Sequence, residues 1–298
     1  MQVGTPQVLL ALTTLFWAGN AVVGKLAVGL ISGVELSFWR WVIALSLLTP
    51  FAIKAVLIDL PYYRLHWKKM LLLGFLSVSV YNTFQYLALQ WTSVINVGVV
   101  TATMPLMVFM LTWLTGQERA NRYQRIGLTV ALCGVLVIIT QGDIGVLLGL
   151  EMNPGDLLML LAIFSFSLYS VLIKPLPAEL NRLGLLWVLV FLGVLGILPF
   201  YLWDISRHGL FTLNLDTGLI LLYVGIFPSI LSYFFWNRAV ALGGANLAGM
   251  FCNLIPVYAT VLAVLLLGEP LTYFQLLGML GIFTGIFLAT SFRPKPRV

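Results

Sequence analysis

Long apolar runs, separated by short polar or turn-forming joints, make up nearly the whole chain. A helix needs about 20 mostly apolar residues to cross a bilayer, and most joints between the runs carry Gly, Pro or charge, as at Ser32-Gly33 and Leu242-Gly243-Gly244. The joint at 91–93 has almost no such punctuation. The pattern predicts ten transmembrane helices, near residues 7–28, 34–57, 69–90, 93–116, 122–140, 155–175, 183–203, 217–238, 244–267 and 271–291.

Composition supports an all-α integral membrane protein. The chain of 298 residues is 61% hydrophobic and 9% charged, whereas a soluble domain carries about 25% charged residues. A disordered chain would need low hydrophobicity and high charge. The net charge of +6 indicates basic loops at an anionic membrane face rather than nucleic acid. Cys133 and Cys252 lie inside apolar runs, so neither a disulfide framework nor a metal site is expected, and no cofactor is implied.

The distribution of basic residues predicts the orientation. If the N-terminus is cytoplasmic, 13 of the 16 Lys and Arg residues face the cytoplasm, so the positive-inside rule predicts both termini in the cytoplasm. The N-terminus lacks a basic n-region, which favours a retained first span over a signal peptide. The chain has no Asn-x-Ser/Thr sequon, in keeping with a bacterial inner membrane. The 13 are Lys54, Arg64, Lys68, Lys69, Arg119, Arg122, Arg125, Lys174, Arg182, Arg238, Arg293, Lys295 and Arg297.

The two halves of the chain repeat each other, with matched residues at offsets of 151 and 149. Because each half holds five spans, the second must enter the membrane from the opposite side. We predict a first repeat over 1–140, an external linker over 141–154 and an inverted second repeat over 155–298. The pairs are Gly74/Gly225, Ala88/Ala239, Gly98/Gly249, Pro105/Pro256, Glu118/Glu269, Gln124/Gln275, Gly127/Gly278 and Gly134/Gly285 at 151, and Lys25/Lys174, Pro50/Pro199 and Phe51/Phe200 at 149.

Inverted five-helix repeats are typical of secondary transporters, which alternate access around a site at the repeat interface. A duplicated structural bundle without transport is the alternative. Polar residues inside the spans bear on this choice. A lipid-facing helix is apolar all round, so polar side chains at helical spacing mark an interior face or a water-filled cavity.

Polar and aromatic stripes occupy equivalent faces of the third and eighth spans. The eighth-span residues are spaced i, i+3, i+4, i+7 and i+8, which places them on one side of a helix. We expect the two stripes to face each other across a pseudo-two-fold axis. They comprise Ser229, Ser232, Tyr233, Trp236 and Asn237 in the eighth span and, 151 residues earlier, Val78, Tyr81, Asn82, Gln85 and Tyr86 in the third.

Further candidates come from the first, sixth and ninth spans. Trp17 and Asn20 correspond at an offset of 149 to Phe166 and Tyr169, and Asn253 lies on one face of the ninth span with Asn246 and Gly249. For any one of these residues the alternative is interhelical packing, since small and amide side chains are common at helix contacts.

Two prolines and one arginine stand out within the spans. Pro105 and Pro256 lie near the middle of spans four and nine, where each removes a backbone hydrogen bond and forms either a hinge or a tolerated kink. Arg40 lies roughly 9 Å into the second span by the helical rise. It could bind a substrate carboxylate or pair with Glu35, and its counterpart in the second half is Leu189.

Carboxylates and histidines are missing from the interior of the spans. All ten acidic residues lie in loops or near helix ends, and His66 and His208 lie in loops, so neither a buried proton relay nor a metalloenzyme is indicated. Lys25 and Lys174 end their helices, where a Lys usually snorkels to the interface. Proton coupling would fall to the helix-end groups Glu35, Glu118 and Glu269; uncoupled facilitation is the alternative.

Recurring helix-joint and helix-opening motifs resemble those of the EamA family of the drug/metabolite transporter superfamily. The resemblance covers about residues 7–291 and rests on two copies of several motifs in the same order. These are Gly116-Gln-Glu-Arg-Ala-Asn-Arg-Tyr-Gln-Arg-Ile-Gly127 with Gly134, the second copy Leu267-Gly268-Glu269-Pro270-Leu271 with Gln275 and Gly278, the openings Phe16-Trp17-Ala18-Gly19-Asn20 to Lys25 and Gly155-Asp156-Leu157 to Lys174, and the eighth-span stretch Tyr223-Val-Gly-Ile-Phe-Pro-Ser229 to Asn237-Arg238.

The resemblance implies a ten-helix bundle that works by alternating access and mostly exports small metabolites such as amino acids. It also implies that cavity residues come from spans one, three, four, six, eight and nine. We expect an uncharged or zwitterionic substrate; a lipid-linked flippase and a non-transporting receptor or structural protein are the alternatives. The candidate substrate-binding residues are Trp17, Asn20, Arg40, Tyr81, Asn82, Gln85, Tyr169, Tyr233, Trp236, Asn237 and Asn253.

Overall fold

The computed structural model describes residues 5–91, 100–118, 120–149, 154–267 and 271–291, and these are mostly helical. A short helix, Ile144–Leu148, lies in the predicted linker. The long helices are α1 (Pro6–Ala27), α2 (Gly33–Leu65), α3 (Trp67–Trp91), α4 (Met104–Leu114), α5 (Arg122–Thr140), α6 (Pro154–Ile173), α7 (Arg182–His208), α8 (Leu215–Gly243), α9 (made of Ala245–Phe251 and Leu254–Leu267) and α10 (Tyr273–Ser291).

The described helices confirm an all-α membrane protein. Nine of them are long and apolar enough to cross a bilayer, and α4 is a shorter apolar helix. α2 and α7 run past the predicted ends of their spans, at 57 and 203, to Leu65 and His208, because charged residues end an apolar run without ending a helix. Several predicted features lie outside the described residues: 93–99 of the fourth span, Gly98, Arg119, linker residues 150–153, 268–270 with Glu269, and the basic tail with Arg293, Lys295 and Arg297.

Side-chain caps fix where α2 and α7 begin and tie the two helices together. Ser32 and Glu35 form a capping box at the start of α2, and the Asn181 side chain accepts from two backbone N–H groups of α7. The Ser32 hydroxyl donates to Asp204 near the end of α7, and the Asn181 N–H donates to Asp59 near the end of α2 at 2.9 Å. The start of each helix therefore lies against the end of the other.

Two π-helical segments interrupt α3 and α8 at positions 151 residues apart, Phe75–Val80 and Ile226–Leu231. Carbonyls in each segment bind side chains from elsewhere in the bundle. The Ser77 carbonyl accepts from the Tyr233 hydroxyl at 2.6 Å, and the Pro228 carbonyl accepts from Trp17 Nε1 at 3.3 Å. π-Segments are frequent at functional sites, and the apolar pattern of the sequence did not predict either of them.

Both helices that carry the predicted hinge prolines are preceded or interrupted by a turn. The turns fall at 102–103, before α4, and at 252–253, between the two parts of α9. Pro105 and Pro256 each follow within a few residues and cannot donate a backbone hydrogen bond back into the turn. A hinge at these points stays a prediction.

α5 and α10 meet backbone to backbone through glycines. A Cβ at Gly127 would lie 2.4 Å from the Gly285 carbonyl oxygen, and one at Gly134 would lie 2.5 Å from the Gly278 carbonyl oxygen. Because the contacts pair the start of α5 with the end of α10, the helices run antiparallel. We call this contact the glycine seam; small residues of this kind allow the closest approach that helices reach in membranes.

The contacts define two ends of the bundle. At the terminal end, where α1 begins and α10 ends, Pro6 lies against Gly243 and Glu118 against Gly244. At the linker end, where α1 and α5 end and α6 begins, Gly142 lies against Phe274. These two names are kept below.

Candidate substrate cavity

A cavity of about 270 Å³ lies in the part of the bundle toward the linker end. Its wall comes from α1, α2, α3, α5, α9 and the turn before α4. Apart from the candidate residues, the wall is largely apolar and includes Val135, Ile138, Ile139, Ile255 and Ala259. The candidate residues that line it are Trp17, Asn20, Arg40, Tyr81, Asn82, Gln85, Asn253 and, from the predicted hinges, Pro256.

Arg40 is held in the cavity wall by neutral partners. Its side chain is 1% exposed, with Nε donating to Ser229 Oγ at 2.8 Å and Nη1 donating to the Tyr86 hydroxyl at 2.7 Å. The Tyr86 hydroxyl in turn donates to Asn20 Oδ1 at 2.9 Å. The guanidinium also lies over the Trp41 ring, 5.1 Å from its centroid. Arg40 is thereby fixed in position before any ligand arrives.

No carboxylate pairs with Arg40 in the described part of the chain, where the ion pairs are Lys174–Glu118 and His208–Asp204. Glu35, the predicted alternative partner, accepts instead from the Ser32 and Phe211 backbone N–H groups. A guanidinium buried among dipoles alone is an expensive group inside a membrane protein. The wall of the cavity therefore carries a fixed positive charge that favours an anionic group.

Asn253 carries both polar atoms of its amide without a hydrogen-bond partner. It lies in the turn between the two parts of α9, is 1% exposed, and lines the cavity; neither Nδ2 nor Oδ1 is paired. An unmade hydrogen bond on a buried polar group costs about 1–3 kcal/mol. Such a group in a cavity wall is suited to a ligand that both donates and accepts.

Four candidate residues from α6 and α8 lie outside the cavity wall: Tyr169, Tyr233, Trp236 and Asn237. They are fully or almost fully buried. Two hydrogen bonds join α6 to α8: the Tyr169 hydroxyl donates to Asn237 Oδ1 at 2.6 Å, and Trp236 Nε1 donates to Ser170 Oγ at 3.1 Å. Their role in substrate binding stays a prediction.

An aromatic layer separates the cavity from the terminal end. It consists of Trp17, Phe166, Tyr233 and Trp236, whose contacting ring centroids lie 5.1–6.4 Å apart. Three of these five contacts are edge-on, with interplanar angles of 74–83°, an arrangement that aromatic rings favour. Trp17 belongs to both the layer and the cavity wall, so the layer forms the floor of the cavity.

Asn82 and Tyr233 meet at the centre of this layer. Asn82 Nδ2 donates to the Tyr233 hydroxyl oxygen at 3.0 Å, and the two residues stand 151 positions apart in the sequence. The third-span and eighth-span stripes thus contact each other at equivalent positions of the sequence repeat.

Glu118, which follows α4, ties that helix to α6 and α9 at the terminal end. Its carboxylate pairs with Lys174 at the end of α6 and accepts from the Ala245 and Asn246 N–H groups at the start of α9, at 3.1 and 3.4 Å. An anion at a helix N-terminus is favourable. Lys174, interpreted from the sequence as a snorkelling residue, thus also has an acidic partner at the end of its helix.

The sequence missed the contribution of α5. Val135, Ile138 and Ile139 line the cavity, but an apolar side chain in a membrane helix looks the same in sequence whether it faces lipid, a neighbouring helix or a cavity. The resemblance placed spans six and eight in the cavity wall, whereas the structure has α2 and α5 in their place.

A bundle of membrane helices around a largely apolar cavity with a few convergent polar groups is an architecture of transport proteins. The chain belongs to the EamA-like transporter family, whose model matches residues 5–140 and 153–291. The fold is also similar to that of a solved crystal structure with a TM-score of 0.77 and 18% sequence identity, over 96% of each chain.

Relatives of the chain carry transporter names. It is 23% identical over 278 residues to YyaM, an uncharacterized transporter of Bacillus subtilis (strain 168), covering 93% of this chain and 91% of that protein. It is 30% identical over 178 residues to a probable amino-acid metabolite efflux pump of Salmonella typhimurium, covering 57% and 58% of the two chains. A second protein of that name, from Escherichia coli (strain K12), is 27% identical over 186 residues.

Proposed function

We propose that this protein is a secondary transporter that exports small amphipathic metabolites, amino acids or related compounds, across a bacterial inner membrane by alternating access. One observation carries the proposal: a largely apolar cavity of about 270 Å³ with a buried arginine and several amides in its wall and an aromatic floor. The names of two relatives, probable amino-acid metabolite efflux pumps, favour the same substrate class.

The alternating access proposed here uses two halves related by inversion, and three findings support that arrangement. Asn82 and Tyr233, paired in the repeat, bond to each other. The repeat pairs Gly127 with Gly278 and Gly134 with Gly285. The two contacts of the glycine seam, Gly127 with Gly285 and Gly134 with Gly278, are therefore equivalent under the repeat. The family model matches two segments that correspond to the two proposed repeats.

The present conformation corresponds to an outward-facing state if the terminal end is cytoplasmic, as the basic residues favour. The cavity then lies on the external side of the aromatic floor. Opening the other side would require release of Tyr169 from Asn237, Trp236 from Ser170 and Lys174 from Glu118. The turns before Pro105 and Pro256 are the proposed hinges for this change.

The cavity groups define a substrate with two polar ends and an apolar body. Arg40 would bind a carboxylate through the charge that its neutral partners leave uncompensated. The Asn253 amide, with Asn20 and Gln85, would bind the ammonium or another polar group. Trp17 and Tyr81 would cover the apolar side chain.

Uptake by the purified full-length protein in liposomes tests the proposal. A mixture of amino acids is offered with and without a pH gradient, and entry is followed by mass spectrometry. We expect selective entry of a few amphipathic substrates that bear a carboxylate. Acceleration by the gradient would add proton coupling. Folded protein that admits no amino acid would refute this substrate class, and fluorescent-lipid flipping would then test the flippase alternative.

Replacing Asn253 by Leu separates stability from transport. We expect Asn253→Leu to keep or raise the thermal midpoint, because it removes a buried amide that has no partner. Transport should fall about fivefold, since one hydrogen bond to substrate is worth about 1 kcal/mol. Differential scanning fluorimetry and liposome uptake measure the two effects.

Asn246 is the matched control for this change, since it is equally buried but accepts from Thr112 Oγ1 at 2.7 Å. We expect Asn246→Leu to lower stability by about 1 kcal/mol. A comparable loss of stability in Asn253→Leu would mean that the native amide is satisfied, and would remove it from the proposed binding site.

A further inference from the structure

An open groove lies on the side of the bundle between α2, α3 and α7, toward the terminal end. Its volume is about 440 Å³, and its walls are apolar, with Leu60 of α2, Met70 of α3 and Phe191 of α7 among them. Arg64 also lines it, one turn beyond Leu60 on α2. The groove is separate from the substrate cavity, with which it shares no lining residue.

The corresponding crevice in the second half of the chain is filled. The repeat pairs Met70 with Leu221 and Val188 with Trp39. Around Leu221, the crevice is covered by Phe211 from the loop between α7 and α8, which packs against that apolar cluster together with Trp39. α2 and α3, in contrast, are joined through His66 alone, so no loop is available to cover the first crevice.

The polar rim of the groove suits an anion. Tyr63 lines the groove and is 5% exposed, and its hydroxyl interacts with the Asp59 carboxylate rather than facing the groove as a free donor. Arg64 lies beside it, and Lys68 follows one turn later with its ammonium 5.7 Å from the centroid of the Trp67 ring. Asp59, the acidic side chain on the same part of α2, accepts from the Asn181 N–H.

We propose that the groove binds one anionic phospholipid. An acyl chain fills the apolar crevice that Phe211 fills in the other half, and the phosphate accepts from Arg64 and Lys68. Basic pockets between membrane helices are suited to anionic head groups, and Trp67, 56% exposed beside them, has the amphipathic character of an interfacial anchor.

Native mass spectrometry of the full-length protein tests the proposal. The protein is titrated with phosphatidylglycerol or with phosphatidylcholine of identical acyl chains. We expect a single phosphatidylglycerol adduct at concentrations where phosphatidylcholine gives none. A basic side chain near a membrane surface contributes about 1 kcal/mol, so Arg64→Gln should weaken the adduct about fivefold.

Arg207→Gln is the matched control. Arg207 lies at the opposite end of the bundle, 4.7 Å from the centroid of the Trp203 ring, and is likewise an exposed cation beside an exposed tryptophan. This variant should bind phosphatidylglycerol as the parent does. Equal loss in Arg64→Gln and Arg207→Gln, or equal binding of the two lipids, would overturn the proposal in favour of nonspecific attraction.

A second variant tests occupancy of the groove itself. Val188→Trp introduces the residue type found at the paired position, Trp39, and should remove the adduct while the protein keeps its thermal midpoint in detergent. If this folded variant retained the adduct, or if dimer peaks appeared without lipid, the groove would not be a lipid-binding site and the proposal would be refuted. Binding is measured without transport, so the result is independent of the proposed substrate.

Discussion

Arg40→Gln should lower kcat/KM for a carboxylate-bearing substrate about 10- to 150-fold. Arg40 is buried in the cavity wall, and the surrounding Ser229, Tyr86 and Asn20 are neutral. A hydrogen bond to a charged group contributes about 1.5–3 kcal/mol, and each 1.4 kcal/mol is a factor of ten. Initial uptake rates in proteoliposomes measure the effect.

Methyl esters of the same substrates separate recognition from folding. The ester carries no negative charge, so we expect its transport to be slower than that of the acid. The Arg40→Gln substitution should change the transport rate of the ester less than threefold. Equal losses for acid and ester would assign Arg40 to the structure of the cavity and refute carboxylate binding. Arg207→Gln, a cation removed from the far end of α7, should leave both rates unchanged.

Gly134→Ala should destabilise the protein by about 1–3 kcal/mol, the usual cost of overpacking. The added Cβ would lie 2.5 Å from the Gly278 carbonyl oxygen and 2.9 Å from the Ile282 backbone nitrogen. Because both neighbours are backbone atoms, α5 and α10 must separate along the whole glycine seam. A lower midpoint in differential scanning fluorimetry, with the same detergent and lipid, is the expected result.

Gly218 provides the control for this substitution. It also lies in a membrane helix, but a Cβ there meets nothing within 4 Å. Gly218→Ala should raise stability by about 0.5–1 kcal/mol through helix propensity. If Gly134→Ala were equally well tolerated, the seam would be looser than the structure has it.

The helices were predictable because bilayer thickness and hydrophobicity dictate their length. α5 begins and ends where the apolar pattern predicts, at Arg122 and Thr140. The π-segment Phe75–Val80 was not predictable, since π and α geometry share the same apolar composition. The extension of α2 at the interface was missed for a related reason. Asp59 and Arg64 end the apolar run, but neither residue type costs a helix more than about 0.7 kcal/mol, so the helix continues through them.

About half of the candidate site could be derived from helical spacing. The third-span stripe supplies Tyr81, Asn82 and Gln85 to the cavity wall. Spacing cannot distinguish a polar face that lines a cavity from one that closes a gap, so Tyr233 and Trp236 of the eighth-span stripe lie in the floor instead.

The glycine seam limits how the two halves can move. Its two contacts lie seven residues apart on α5, or about 10 Å along the axis, so one helix cannot tilt on the other about a single point. A slide of one residue, about 1.5 Å, would drive Ala131 or Ile282 into opposing backbone. α5 and α10 therefore behave as one rigid strut shared by both halves, and the degrees of freedom for transport are left to the other helices.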